Sequence, residues 1–162
     1  MDGLAGQVGL AAVAFVSTNI DDVVLLLALF SSRAYSTRQV VVGQYLGIAA
    51  LYGTSVLASL VSLVLPPTYP GLLGLAPIAI GIKQLRHLLR KHDRGPADGR
   101  LLERPMSAPA SIVSVAAATI ANGADNIGVY TPIFAFLSAR EMAVFGLVFI
   151  VLTGFWCFVA PA

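Results

Sequence analysis

Hydrophobic residues in this chain fall into long runs, without the regular polar spacing of soluble helices and strands. A helix needs about 20 mostly apolar residues to cross a bilayer, and the chain has room for five such segments. These five predicted segments lie at about residues 6–31, 39–65, 71–82, 108–137 and 142–160. The pattern predicts an all-α, polytopic membrane helix bundle that forms a single membrane domain, residues 1–162.

The third segment has the shortest unbroken apolar stretch, residues 71–82. Lys83 follows it and can snorkel toward the membrane surface, while the leucines beyond it extend the apolar character. A polar linker, residues 86–107, then separates the third segment from the fourth. We expect this linker to be a cytoplasmic loop.

Basic residues indicate the orientation of the chain. If the connections alternate between the two sides, nine of the ten Lys and Arg residues lie on one side, and only Arg140 lies on the other. The side rich in Lys and Arg is the cytoplasmic one in most membrane proteins. The N-terminus is therefore predicted to lie outside, and the first and fourth segments cross in opposite directions.

Composition agrees with a membrane protein and excludes several classes. The chain is 57% hydrophobic and 11% charged, against roughly 45–50% and about 25% in an ordinary soluble domain. Its net charge of +2 is too small to indicate a nucleic-acid partner. The expected partner of the apolar segments is the lipid bilayer. The single cysteine, Cys157, excludes an internal disulfide. We assign Trp156 and Cys157 to lipid or packing contacts.

Three carboxylates interrupt the first and fourth segments, namely Asp21, Asp22 and Asp125. If charged and unpaired, they oppose insertion by about 8 to 10 kcal/mol in total. One explanation is structural, with each carboxylate protonated or paired with a basic side chain. Only Lys83 is available for pairing, so at least one further proton or external cation is expected.

Polar neighbours extend these acids into two helix faces. Thr18 lies three positions before Asp21, and Asn122 lies three positions before Asp125. If the faces converge, they form an oxygen-rich cage for a divalent cation, in which one carboxylate binds a proton when the cage is empty. The candidate metal ligands are Thr18, Asn19, Asp21, Asp22, Asn122, Asp125 and Asn126.

Two further polar residues have two interpretations each. Gln44 either hydrogen-bonds the acidic cluster or reaches a neighbouring helix, and Tyr130 either closes the site or packs between helices. In the fourth segment, Gly123 allows close helix approach and Pro132 predicts a kink beside a binding site. For Gly123 and Pro132, ordinary packing of small residues in a membrane helix is an equally good explanation.

The acidic motif occurs twice. Sliding the chain by 104 residues lays 18–22 on 122–126 and matches Asp21 with Asp125, whereas a slide of 103 matches Asp22 with Asp125. The alternative is that the match arises by chance, because membrane helices are built from few residue types. A repeat of three helices must place its second copy in the opposite direction, which is the inverted-repeat design of many secondary transporters.

The second copy is incomplete. The first repeat, residues 1–85, holds three predicted helices, and the second, residues 108–162, holds two. The sixth helix is absent, so either the chain is a fragment or a partner chain supplies the equivalent surface. We favour truncation, because the last residues carry no charge. Assembly into a homo-oligomer stays an open alternative.

Four motifs stand out together: Thr-Asn-Ile-Asp-Asp at 18–22, Gly-Gln-Tyr-Leu-Gly at 43–47, Gly-Ile-Lys at 81–83 and Asn-Gly-Ala-Asp-Asn-Ile-Gly-Val-Tyr at 122–130. The chain resembles the bacterial cadmium-resistance transporter family, within the larger lysine-exporter superfamily. The resemblance implies a helical fold with inverted repeats and a multi-pass protein of the bacterial plasma membrane.

The same resemblance implies export of a divalent metal cation, with cadmium as the transported substrate, no cofactor and no enzymatic activity. It places the site on the polar residues of the first and fourth segments. Because the acidic cluster offers only oxygen ligands and cadmium favours thiolates, the choice of cadmium rests on the resemblance alone. Exchange of the metal for protons is expected from the uncompensated acids.

Three other functions are compatible with parts of the pattern. An exporter of amino acids or other small solutes is the main alternative. An intramembrane aspartyl protease also uses two Asp residues on separate helices, but its second Asp usually follows Gly-x-Gly, whereas Gly123 and Ala124 precede Asp125 here. A non-transporting subunit that needs a partner chain is the third.

Overall fold

The computed structural model of the chain describes residues 3–64 and 107–160. The predicted third segment, Lys83 and nearly all of the predicted linker lie outside these described residues. All regular structure in the described part is α-helical, as predicted. The helices are α1 (Leu4–Asn19), α2 (Asp22–Ser31), α3 (Thr37–Val64), α4 (Ala108–Asn122), α5 (Asn126–Phe134) and α6 (Ala139–Val159).

The two longest helices, α3 and α6, match the second and fifth predicted segments. Both begin with a capping box, in which a serine side chain and a side chain three residues later satisfy each other's backbone N–H groups. Ser36 pairs with Gln39 before α3, and Ser138 pairs with Glu141 before α6. Each helix is long and apolar enough to cross a membrane.

The first and fourth predicted segments are not single helices. The first consists of α1 and α2, which meet at 59°, and the fourth consists of α4 and α5, which meet at 73°. The described part thus contains two helices able to span a membrane, or up to four if each bent pair is one span. Both breaks occur where Asn and Asp cluster, because such side chains compete with helical hydrogen bonding. Helix α5 continues through Pro132, so the proline does not mark the break.

Small residues bring α3 and α4 into close contact. A Cβ atom added at Gly43 would lie 2.5 Å from the Cβ of Val115, and one added at Gly47 would lie 2.5 Å from the Cβ of Thr119. The two helices therefore run parallel, with backbones closer than larger residues would allow. The two glycines at the ends of the motif at 43–47 thus lie on the face of α3 that α4 contacts.

Helix α6 runs antiparallel to α3 and parallel to α1. Two tyrosines on α3 donate to backbone carbonyls of α6: Tyr45 to Ile150 at 3.1 Å and Tyr52 to Met142 at 2.6 Å. At the start of α1, Gln7 donates to Glu141 at 3.0 Å, so the beginnings of α1 and α6 lie side by side.

Two buried apolar clusters hold the helices together. The larger cluster is aromatic and includes Phe15, Tyr130, Phe134, Phe145 and Phe149. The ring centroids of Phe149 and Tyr130 are 5.0 Å apart in an edge-to-face arrangement, which is one that aromatic pairs prefer. The smaller cluster is formed by Leu26, Leu29, Val40, Val115, Cys157 and Ala160.

Candidate functional site

The two helix breaks lie side by side. Helix α1 ends at Asn19 and α4 ends at Asn122, while α2 begins at Asp22 and α5 begins at Asn126. Helix ends carry unpaired backbone groups, positive at an N-terminus and negative at a C-terminus. The breaks therefore gather polar backbone groups of both signs beside the acidic side chains.

The breaks also explain why the acidic motif matches itself in two registers. The last residues of the first half-helices, Asn19 and Asn122, are separated by 103 positions, and the residues before the second half-helices, Asp21 and Asp125, are separated by 104. The second break is one residue longer than the first. The sequence comparison could not choose a register because each register aligns a different half-helix.

Asp21 and Asp125 occupy equivalent places, each directly before a second half-helix. Both side chains are exposed, and neither caps its helix with a side-chain hydrogen bond. Each residue therefore stands next to the positive end of the helix that follows.

Asp22 is the buried acid of the site, with 1% of its surface exposed. Its Oδ1 atom accepts a hydrogen bond from Nδ2 of Asn122 at 2.7 Å, and its Oδ2 atom accepts one from Nε2 of Gln44 at 2.8 Å. Nδ2 of Asn122 also donates to Oδ2 of Asp21 at 3.0 Å. One amide from the second break thus bridges both acids of the first, and we call these four residues the carboxylate network.

Gln44 links the carboxylate network to a second residue of α4, Thr119. Its Oε1 atom accepts a hydrogen bond from the Thr119 hydroxyl at 2.6 Å, and both side chains are buried. Both interpretations of Gln44 hold, because its amide bonds the acidic cluster at one end and the neighbouring helix α4 at the other. Sequence inspection missed Thr119, although its position one helical turn before Asn122 places the two on one face of α4.

A second set of hydrogen bonds, the amide network, joins α1 to α5. Nδ2 of Asn19 donates to the Tyr130 hydroxyl at 2.7 Å, and Oδ1 of Asn19 accepts from Nδ2 of Asn126 at 3.2 Å. The hydroxyls of Tyr130 and Thr18 are also hydrogen-bonded to each other. The ring of Tyr130 packs between helices in the aromatic cluster, as one of its two interpretations predicted, and its hydroxyl bonds the network.

Trp156 has a role that the sequence prediction missed. Its indole Nε1 donates to the backbone carbonyl of Asn19 at 3.0 Å, so α6 satisfies a carbonyl at the end of α1. The prediction of a packing contact is correct for the ring but omits this hydrogen bond. Cys157 is buried in the smaller apolar cluster, where a packing role was predicted.

The carboxylate network lies between the two apolar clusters. On α3, Val40 belongs to the smaller cluster and Ile48 to the aromatic one, and Gln44 lies midway between them on the same face. Water-poor surroundings of this kind strengthen hydrogen bonds and charge interactions. Asp22 therefore lies at the depth where the helices are held by apolar contacts on both sides.

The structure does not assemble the whole predicted cage. Asp125 makes no side-chain hydrogen bond to any described residue. Within residues 3–64 and 107–160, no three His, Cys, Asp or Glu side chains form a group that could hold a metal ion. The fold brings the other candidate ligands together in two groups: Asp21, Asp22 and Asn122 in one, and Thr18, Asn19 and Asn126 in the other.

Comparison with known proteins bears on what this arrangement is for. The sequence model of a family described as cadmium resistance transporter matches residues 15–162, which include both breaks and every candidate ligand. The chain belongs to the cadmium resistance transporter family. A search of curated proteins gave no match, and a search of solved structures gave none either.

Membership of the cadmium resistance transporter family confirms the family predicted from the four motifs, whereas the superfamily stays a prediction. The family and the apolar helices together make the chain a membrane protein with a transport function. A transporter family also argues against an enzyme, in agreement with the sequence prediction.

Proposed function

We propose that the chain is a secondary transporter that exports cadmium, its divalent substrate, across the bacterial plasma membrane in exchange for protons. The observation that carries this proposal is the contact of Asn122, at one helix break, with Asp21 and Asp22 at the other. Secondary transporters commonly bind their substrates where the ends of discontinuous helices meet. Membership of the cadmium resistance transporter family supports cadmium as the substrate.

We assign the cation to the space between the two breaks. Asp21, Asp22 and Asp125 supply the charged ligands, because carboxylates provide the largest electrostatic attraction for a divalent cation. Gln44 and Tyr130 support the site by hydrogen-bonding Asp22 and Asn19. The neutral ligands are Thr18, Asn19, Asn122 and Asn126.

Asn122 gives the empty site a way to tolerate two adjacent acids. Its N–H groups point to Asp21 and Asp22 and offset part of their mutual repulsion. A cation between the two acids replaces this donor. Turning the Asn122 amide by half a turn then presents its oxygen, which is a ligand for the cation.

Proton exchange follows from the same repulsion. Three carboxylates cannot all stay charged at close range without a cation, so one of them takes up a proton as the cation leaves. A proton and a cation thus compete for one set of oxygens. Competition of this kind couples their opposite movements across the membrane.

The acids can be tested by neutral substitution in a cadmium-sensitive bacterial host. Asp22→Asn and Asp125→Asn should each lower cadmium tolerance to that of cells without the transporter, because each removes a charged ligand while keeping the side-chain shape. Glu141→Gln is the matched control, since Glu141 is an acid at the start of α6 that contacts Gln7 and Ser138. Membrane fractions must contain equal amounts of each variant.

Full tolerance in both aspartate variants would overturn the proposal. The mechanism is tested with purified protein in vesicles, by measuring cadmium, zinc and manganese flux with and without a pH gradient. Cadmium flux that follows the pH gradient supports exchange. Flux that ignores the gradient overturns exchange but leaves cadmium transport itself in place.

A further inference from the structure

Thr119 lies outside every set of candidate ligands, yet it bonds directly to the carboxylate network. Its side chain is fully buried on α4, and its hydroxyl is 2.6 Å from Oε1 of Gln44. The carbonyl of Val115 is a second acceptor for the same hydroxyl, at 3.1 Å. The shorter contact is the one with Gln44, so the hydroxyl serves the site as well as its own helix.

The orientation of the Gln44 amide matters because its two ends are chemically opposite. The NH₂ end donates to Asp22 at 2.8 Å. If the amide turned over, its oxygen would face the carboxylate, and two acceptors would then lie in contact without a hydrogen between them. A hydroxyl that donates to Oε1 favours the orientation in which the N–H groups face Asp22.

The packing of α3 against α4 holds Thr119 in place. A Cβ atom at position 47 would lie 2.5 Å from the Cβ and 2.7 Å from the Cγ2 of Thr119. Gly47 therefore provides the space that the threonine side chain fills. Because Gln44 lies less than one helical turn before Gly47, the close approach that admits Thr119 also brings its hydroxyl to the amide.

We propose that Thr119 is a positioning residue for cadmium transport, which acts by fixing the Gln44 amide with its N–H groups toward Asp22. This inference rests on the proposed function, since it takes Asp22 as a cadmium ligand. Thr119 itself does not touch the cation. Its effect reaches the site through Gln44 alone.

The test compares Thr119→Val with Thr119→Ser in vesicles that contain the purified, full-length protein. Valine keeps the shape and removes the hydroxyl, so the half-saturating cadmium concentration should rise by about threefold to tenfold, the size of one lost hydrogen bond. The maximal rate should stay within about twofold. Serine keeps the hydroxyl and should restore the half-saturating concentration.

Thr153→Val is the matched control. Thr153 is also buried, and among the described residues its hydroxyl bonds only the carbonyl of Phe149 in its own helix. The same chemical change there should leave the half-saturating concentration unaltered. An equal rise in Thr153→Val and Thr119→Val would overturn the inference, because the effect would then be general to buried threonines.

A double substitution tests whether Thr119 acts through Gln44. In a Gln44→Met background the amide is gone, so adding Thr119→Val should change the half-saturating concentration no further. An additional rise of threefold or more would overturn the proposed route. Direct cadmium binding, measured by equilibrium dialysis, gives the same comparison if a variant transports too slowly for flux measurements.

The outcomes separate this inference from the proposed function. Cadmium transport that survives Asp22→Asn contradicts the assignment of Asp22 as a ligand, whereas purified wild-type protein that transports no cadmium contradicts the proposed function. Loss of transport in Asp22→Asn, together with wild-type behaviour in Thr119→Val, overturns only the positioning role of Thr119.

Discussion

At the residue scale, the site depends on amide groups that hold acids. Asp22 is almost fully buried and accepts two N–H bonds, from Gln44 on α3 and Asn122 on α4. Leaving a buried acceptor without partners costs about 1–3 kcal/mol, and more for a charged one. The paired amides therefore make it possible to keep a carboxylate at this depth when no cation is bound.

Trp156 offers a spectroscopic view of the same region. It is the only tryptophan of the chain, and its indole N–H holds the last carbonyl of α1 at the break. Cadmium binding beside this break should shift the tryptophan emission, with a half-saturating concentration equal to that of transport. Fluorescence titration of the purified protein measures the shift.

Asp22→Asn is the control for this titration, since it removes a ligand without changing the tryptophan. It should lose the response to cadmium. An emission spectrum that stays constant in a protein that transports cadmium would contradict the predicted proximity of Trp156 to the bound cation.

At the element scale, the decisive features are two breaks and one close helix contact. The breaks divide the first and fourth predicted segments into four shorter helices. The close contact of α3 with α4 depends on Gly43 and Gly47, which leave room for Val115 and Thr119. Small residues are the usual means of such approach in membranes, where apolar side chains alone give helices little preference for each other.

Gly47→Ala tests this contact. The added methyl group would overlap Thr119, and overpacking of this kind costs about 1–3 kcal/mol. We expect a lower midpoint of thermal unfolding in detergent and a higher half-saturating cadmium concentration. Gly53→Ala on the same helix should change neither, because a Cβ there meets nothing within 4 Å. Equal midpoints for the two variants would contradict the role of Gly47.

At the scale of the whole molecule, the helix directions agree with the predicted alternation. Helices α1 and α6 run parallel, as do α3 and α4, and α3 runs opposite to α6. The first halves of the two broken helices, α1 and α4, run in opposite directions with their breaks adjacent, which is the arrangement expected of an inverted repeat. The repeat itself and the side that faces the cytoplasm stay predictions.

Cysteine labelling tests the orientation. In a Cys157→Ser background, Ala139→Cys at the start of α6 should react with a membrane-impermeant maleimide on intact cells. Thr37→Cys at the start of α3 should react only after the cells are opened, because the adjoining Arg33 and Arg38 place that end inside. Both positions are exposed in the structure. The reverse labelling pattern would place the N-terminus in the cytoplasm.

Part of the site was predictable because its signals are local. A charged residue inside an apolar run has a large insertion cost wherever it occurs, so Asp21, Asp22 and Asp125 could be recognised without any tertiary information. The positions of the breaks were not predicted in this way. Pro132 attracted the prediction, but the breaks formed at the Asn and Asp clusters, and α5 continues through the proline.

The sequence by itself determined the apolar helices, the polar motifs within them and the family, because hydrophobic length and buried charge are properties of single segments. Only the tertiary structure decided which amide meets which acid: Asn122 bridges Asp21 and Asp22, and Thr119 reaches Gln44. These hydrogen bonds join residues 75 or more positions apart. They depend on how closely the helices approach, and a segment's own pattern does not specify that distance.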